Sequence, residues 1–457
     1  MKQNREYQEI LDYMGMRKLP KGFEEAFSLY EPDDSKELIP KDWYEKLLAP
    51  YNLPEDKKQY LDEALAAIEG DETVLNFSKF FVWDMCSMRN KYDIDNYTEL
   101  MPNCLGKYNE AYGFLVLLAC VPVSKKEMDR RGIPEHYYED IPHRMLRDQL
   151  KRYIETGKID VLDMPWKMNF YTLTIFLLDR FLFIPYEHGE GFEMYRNKTT
   201  GKVIALNDAG NIYDSEGQVL KWKVSEEWDE PEVDEEVKEE KEYDPNSGHV
   251  LATRPAKDPR TFVTVKNETE DEITGNYMNP IGYTEEKMIT IKKSEYEKVL
   301  KRGDYLIALH IPGGEGYTPE RMQNSMRLAL EFFAKYYPEL DMKGFWSSSW
   351  LYDKRLELII GKNKNITNCQ NLMFRYSDGE NGHMLYIHLY RDMDNIVTEY
   401  PCETSLQKGA RDFLLEGGRF CTTGMMILKE EALNGEFYFT KEDEEDFYNS
   451  MKVWGYR

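Results

Sequence analysis

Apolar and polar positions repeat with two different periods along this chain, and the change falls near Arg180. Before it, a period close to 3.6 runs through Tyr7–Tyr13, Lys57–Ile68, Ser78–Cys86, Tyr108–Ala119 and Met145–Ile154, predicting amphipathic helices. Pro134 marks the opening of one helical segment and Gly157 its close, and Pro142 between them predicts a kink or a split. After Arg180 come short strand-like runs: Arg180–Tyr186, Phe192–Arg196, Lys202–Leu206 and Gln218–Lys223. Turn residues at Asn197–Gly201, Asp208–Gly210 and Asp214–Gly217 separate them, so an antiparallel meander is expected.

The last third mixes both periods. Thr261–Lys266 and Lys287–Ile291 read as strands. Ser294–Glu297 has the spacing of a capping box, which predicts a helix that Gly303 closes. Asp304–Ile311 is a buried strand by composition, followed by the glycine-rich turn Pro312–Tyr317. Thr318 and Pro319 then open a helix with Met322, Met326, Leu330, Phe333 and Tyr337 on one face. Strands are expected at Phe345–Leu351, Met384–Tyr390 and Phe420–Leu428, and helices at Lys354–Ile360 and Ser405–Leu415. The fold class is therefore α+β.

At 457 residues the chain is too long for one ordinary core. The expected division is a helical domain over 1–179, a β-meander over 180–224, a linker over 225–260, a mixed domain over 261–440 and a tail over 441–457. Residues 226–242 hold eleven acids and two lysines, a self-repelling block that marks the linker. The formal charge of −25 argues against nucleic acid or an anionic membrane as partner. Phe114–Val123 is about half the length that spans a bilayer, and Phe170–Tyr186 carries Asp179 and Arg180 in its middle. The first thirteen residues lack an apolar leader core, and the six cysteines form no C-x-x-C pair; both point to the cytoplasm. His383 and His388, five apart on an expected strand, face opposite ways, so no metal is expected.

The unit with most chemical content is strand, glycine turn and helix start at 304–337. Free amides at a helix start, beside glycines that let a ligand reach the backbone, form an anion cradle of the kind that holds a coenzyme diphosphate. Glu315 and Glu320 place negative charge there and Pro319 removes a donor, while Arg321 and Arg327 offer compensation. The turn is neither a P-loop nor a dinucleotide fingerprint. His310 at the strand end is a candidate base for an attacking amine, with Tyr352 and Tyr376 as candidate acids. A Ser–His hydrolase would need Ser349, in the run Ser347–Ser349, within reach of His310. A purely structural histidine is the other reading of that residue.

The stretch from His310 to Leu351 resembles the GNAT-like C-terminal domain of bacterial acyltransferase domain-containing proteins. Its matching features are His310-Ile311-Pro312, Ser325, Glu331-Phe332-Phe333, Pro338 and Ser349-Trp350-Leu351. Asn365-Ile366, Gln370, Phe374, Thr404–Gln407 and Gly417-Gly418 continue the likeness downstream, and Glu268–Pro280 with Gly303-Asp304 fit upstream. Leu117–Val123, Arg131–Pro134 and Tyr195–Leu206 resemble the N-acyltransferase N-terminal domain that accompanies it. The resemblance implies a mixed, mostly antiparallel sheet whose two central strands splay apart. Asp304–Ile311 would pair with pantetheine, Pro312–Thr318 would take the diphosphate and Gly344–Leu351 would be the strand across the splay. Ile311, Gly313, Gly314, Gly316, Tyr317, Thr318 and Arg321 are the implied coenzyme-binding residues. The implied activity is transfer from acyl-CoA or acetyl-CoA to a small-molecule or peptide amine, with no metal. The alternative is a binding or scaffold module that has lost the coenzyme site.

Overall fold

The computed structural model describes residues 2–16, 22–87, 101–223, 253–379, 382–391, 396–435 and 438–455. The acidic block at 226–242, and most of the linker expected over 225–260, lie outside them. The chain divides into two compact units, Met1–Leu177 and Leu178–Arg457.

The first unit is built of helices. Its centre is Asn109–Arg131, in which Ala111–Pro122 are buried without interruption. A helix apolar on every side must be wrapped by others, and Glu72–Ser87 packs along it. Phe23, Phe77, Phe80 and Phe81 add edge-to-face ring contacts. The five periodic segments fall on helices Lys2–Met14, Glu55–Glu69, Glu72–Ser87, Asn109–Arg131 and Ile141–Thr156, with Tyr108 ending the 3-10 turn before the fourth. Pro142 does split its segment: a short 3-10 turn, Glu135–Tyr137, precedes the helix, and the proline sits in the first turn, where no amide donor is required. Among the described residues no helix is long and apolar enough to cross a membrane.

Strand β1 (Phe176–Leu178) leads into the second unit. There follow β2 (Phe181–Glu187), β3 (Phe192–Asn197), β4 (Val203–Asn207), β5 (Ile212–Asp214) and β6 (Val219–Lys221). Next come β7 (Thr261–Val263), β8 (Lys266–Glu268), β9 (Glu272–Asn279), β10 (Tyr283–Lys292) and β11 (Tyr296–Leu300). The last four are β12 (Tyr305–His310), β13 (Gly344–Ser349), β14 (Phe374–Gly379) and β15 (Thr422–Leu428). One sheet runs β2, β12, β13, β15, β14, and every pairing in it is antiparallel except β12 with β13. A second runs β10, β9, β4, β3, β11, and a third β6, β5, β7. The expected α+β class and mostly antiparallel mixed sheet are what the structure has.

Four local expectations are corrected. The strands of 180–224 do not form one meander. The hairpins β3–β4 and β5–β6 close as their turn residues predict, but β2 pairs with β12, β4 with β9 and β5 with β7. Thr261–Lys266 is two short strands in different sheets. Ser294–Glu297 opens no helix; Tyr296–Leu300 is β11, paired with β3, and Tyr296 packs against the cluster of Tyr195, Ile204 and Leu206. Tertiary pairing there overrides a local capping signal. Met384–Tyr390 is helical rather than extended, because Leu385, Tyr386 and Tyr390 pack on one core with Leu356, Val397 and Leu414. Period alone does not settle so short an apolar run.

Candidate functional site

The glycine turn after β12 is held from below by one side chain. Arg180 donates from Nε to the Glu315 carbonyl at 2.8 Å, and from Nη2 to the carbonyls of Pro312 at 2.7 Å and Gly314 at 3.1 Å. In a trans peptide the carbonyl of one residue and the N–H of the next point in opposite directions. The amides of Gly313, Glu315 and Gly316 are therefore turned away from Arg180. Among the described residues no protein group accepts from the amides of Gly313–Tyr317. Gly314 and Gly316 take φ of 103° and 90°, a conformation open to glycine and strained for other residues.

Asp179 and Arg180 form the turn between β1 and β2, and Asp179 adopts φ 58°. Its carboxylate accepts from Arg321 Nη2 at 2.6 Å, Ser325 Oγ at 3.1 Å and Asn324 Nδ2 at 3.3 Å. The Arg321 bond holds that carboxyl below its ordinary range. The turn thus clamps both the loop and the helix Pro319–Tyr336. Thr318 caps that helix, its Oγ1 accepting from the Arg321 amide at 3.3 Å. Sequence reasoning missed Asp179 and Arg180, although a charged pair inside the apolar run Phe170–Tyr186 was the signal.

Arg321 and Arg327, expected to offer compensating charge, are each engaged with a carboxylate. Arg321 is paired with Asp179, and Arg327 with Glu331 at 2.6 Å. Glu315 and Glu320 are exposed beside the loop. Tyr317 turns inward: its ring meets Phe181 edge to face at 6.0 Å, and its hydroxyl is buried near Tyr352 and Cys369. Ile311 is half-buried at the strand end.

Beyond the loop lies a gap in the sheet. The parallel register of β12 with β13 covers only Ile307 opposite Phe345 and Ala308 opposite Trp346. Past those positions each strand keeps its outer partner, β12 with β2 as far as His310 and β13 with β15 as far as Ser349. The two central strands therefore splay, as the family resemblance implies. Residues opposite one another share a face, and alternate residues along a strand do too. His310, Ala308, Trp346 and Ser348 fall on one face, Ser347 and Ser349 on the other.

That assignment separates the sequence candidates. Ser349 Oγ accepts from the Leu351 amide at 3.2 Å, and Ser347 Oγ accepts from the Tyr352 hydroxyl at 2.8 Å. Tyr352 is fully buried, and burial pushes its phenol upward. It lies on the face away from His310. Ser349 is likewise on the opposite face and serves as a cap, which removes the geometry a Ser–His hydrolase needs. Burial pushes the His310 imidazole down to about 4, so it is neutral at pH 7 and a poor base for an ammonium group.

The His310 face carries a side-chain network across the sheet. Trp346 stacks on Tyr186 with centroids 4.2 Å apart, and its Nε1 donates to the Tyr376 hydroxyl at 2.7 Å. Glu190 Oε1 accepts from Tyr186 at 2.8 Å and Tyr376 at 3.3 Å, while Oε2 meets His188 Nδ1 at 2.6 Å. Burial opposes ionisation of Glu190, but the His188 and Tyr186 contacts outweigh it and hold the carboxyl below its ordinary range. A mixed-charge cavity of about 560 Å³ opens at the other end of β12 and β13; of its five cations, Arg196, Lys298 and Lys343 are paired with carboxylates, and Lys301 and Lys429 also line it. Among the described residues no group of three histidines, cysteines or carboxylates is placed to hold a metal.

Residues 228–426 match the family model described as GNAT-like C-terminal domain. This bears out the resemblance over that part of the chain. Crystal structures of the same fold are similar over nearly the whole length. One, an acyltransferase in complex with decanoyl-CoA, is 14% identical with a TM-score of 0.54, covering 92% of this chain and 98% of that one. The acyltransferase in complex with decanoyl-CoA and teicoplanin gives 14% identity and 0.53 over the same shares. An acyltransferase mutant in complex with octanoyl-CoA gives 15% and 0.53, again over 92% and 98%. No curated protein sequence matches the chain.

Proposed function

We propose that this chain is an acyl-CoA-dependent acyltransferase of GNAT type, acting in the cytoplasm on the amine of a small-molecule or peptide acceptor. The observation that carries the reading is the set of outward amides of Gly313, Glu315 and Gly316, fixed by Arg180 and, among the described residues, left without a protein acceptor beside the splayed strands. Such amides suit a coenzyme diphosphate. The gap between β12 and β13 takes the pantetheine arm, and unpaired backbone along it stabilises the oxyanion formed when an amine attacks the thioester. Ile311 and Tyr317 border the arm, and His310 lies at the end of β12 beside the reacting carbon, while Tyr352, buried on the other face, braces Ser347. Solved structures of this fold that hold acyl-CoA support the same choice of co-substrate.

Calorimetry with acetyl-CoA and decanoyl-CoA tests it. Saturable binding and a rise in Tm are expected, with binding more than tenfold weaker in Arg180→Ala, since hydrogen bonds to a charged group contribute about 1.5–3 kcal/mol each. One observation favours a second reading, a binding module without the coenzyme. Glu315 and Glu320 face the loop while Arg321 and Arg327 are already paired. Absence of heat with both thioesters would establish that reading and end the first.

A further inference from the structure

Ser348, Gly424 and Tyr376 lie in one row across β13, β15 and β14. Because position 424 has no side chain, groups from β13 and β14 meet over it. A Cβ there would stand 2.1 Å from Tyr376 Cζ. One residue further along β14 the register with β15 slips: Ser377 opposes Thr423 and Gly379 opposes Thr422, leaving Asp378 as the extra residue of a β-bulge. Asp378 stands two residues after Tyr376 and so lies on the same face, that of Ser348 and His310, with Ser348 favouring its ionised form.

We propose that Asp378 is the catalytic residue that takes the proton from the acceptor amine, on the sheet face that Ser348 and His310 share beside the β12–β13 gap. The proposal rests on the acyl-transfer reading above and names its acceptor class: an amine that arrives as an ammonium ion. Three features of this face suit such a cation. Asp378 is partly accessible; the Tyr186–Trp346 stack on the same face is half-buried with π surface to offer; and Glu190, which acts on Asp378, is held ionised. The groups acting on Asp378 are Ser348 on β13, Tyr376 on its own strand and Glu190 after β2, with His188 bonded to Glu190; Tyr186 on β2 and His310 at the end of β12 share the face. Burial, opposed by the Ser348 bond and reinforced by Glu190, pushes the Asp378 carboxyl up to about 7. Two carboxyls with environments that drive their ionisation apart are a recurrent acid–base arrangement, and a base is most effective near the working pH. His310, held neutral, is left to hydrogen bonding.

The step balances as follows. The ammonium N–H bond breaks and its proton passes to the Asp378 carboxylate. The freed lone pair attacks the thioester carbon, and the carbonyl π electrons move to oxygen. Collapse re-forms the carbonyl and expels the coenzyme thiolate, which takes the second proton lost by nitrogen. Asp378 returns its proton to water.

The test uses decanoyl-CoA with benzylamine, an ammonium at neutral pH, and with aniline, which is neutral there, following enzyme-dependent coenzyme A release from pH 5.5 to 9. Wild type is expected to turn over benzylamine, with kcat/KM rising through pH 7. Asp378→Asn should lower kcat at least a hundredfold and lose that limb, while the Tm rise on binding decanoyl-CoA is kept. Asp378→Glu should recover part of the rate. Aniline transfer should change less than tenfold. If Asp378→Asn keeps its rate within twofold and its pH limb, the assignment fails and the acyl-transfer reading stands. If wild type binds decanoyl-CoA but releases no coenzyme with either amine, the reading fails and the assignment falls with it.

Discussion

The glycine loop and the Trp346 face border the same gap yet are built on opposite principles. The loop offers backbone amides, and its side chains matter chiefly where they shape or brace the chain: Gly314 and Gly316 by conformation, Arg180 by its three carbonyl contacts. The face offers side chains from strands far apart in sequence, and each holds another: Trp346 on Tyr186, Tyr376 on Trp346, Glu190 on both tyrosines. A backbone site tolerates much change in side chains, whereas an interlocked one transmits any change through its neighbours. The two regions therefore answer differently to the same small substitution.

One added methyl group separates them most sharply. Gly424→Ala places a carbon 2.1 Å from Tyr376 Cζ, between strands that cannot part. Overpacking of this kind costs about 1–3 kcal/mol, read as a fall in Tm of several degrees together with altered emission from Trp346. Gly313→Ala meets no atom within 4 Å and needs no left-handed backbone, so its Tm should stay at the wild-type value. Equal stability of the two variants would show that the Tyr376 ring is not locked over position 424.

The same contrast explains what the sequence made legible. A local signal sufficed for the loop: strand, glycines and helix start are contiguous, and Thr318 caps where expected. The splay itself came through the family resemblance, since no periodicity distinguishes a strand that parts from its neighbour. The face stayed hidden because Tyr186, Glu190, Trp346 and Tyr376 converge only through the order β2, β12, β13, β15, β14. Asp378 sits in the strand Phe374–Gly379, which periodicity did not mark, and lies at a register slip that leaves no sign in the sequence. Arg180 was in view, but as a reason against a membrane span; only the fold reveals which carbonyls it reaches.

An effect of opposite sign comes from the two carboxyls of the face. Asp378 is held protonated up to about 7, against about 3.9 for a free aspartate. Between those values the folded state binds more protons than the unfolded, so this group lowers stability as pH rises from 4 to 7 and its cost is level above. Asp378→Asn should match wild type near pH 4 and melt higher at pH 7.5. Glu190, held below its ordinary range, adds stability above that range and loses it as pH falls. Glu190→Gln should therefore melt lower than wild type at pH 7.5 and converge with it in acid. Melting curves of both variants across pH check the pair, and a common direction for the two would undo the assignment of opposite environments.

The smallest effect belongs to the loop and concerns salt. A phosphate site lined by free arginines loses affinity as salt is added, because ions compete for the charges. Here the loop presents amides, Arg180 lies behind it bonded to carbonyls, Arg321 and Arg327 are paired with Asp179 and Glu331, and Glu315 and Glu320 are exposed on a chain of net charge −25. The long-range force on a polyanionic coenzyme is therefore repulsive, while the amide bonds act at contact and are little screened. Raising sodium chloride from 20 to 300 mM should tighten acyl-CoA binding, by the few tenths of a kcal/mol to about 1 kcal/mol typical of exposed charge interactions. Glu315→Gln combined with Glu320→Gln should start tighter at low salt and show a flatter dependence. Binding that weakens steadily with salt would mean that cations, not backbone amides, hold the diphosphate, and the distinction between a backbone-built and a side-chain-built border of the gap would be lost.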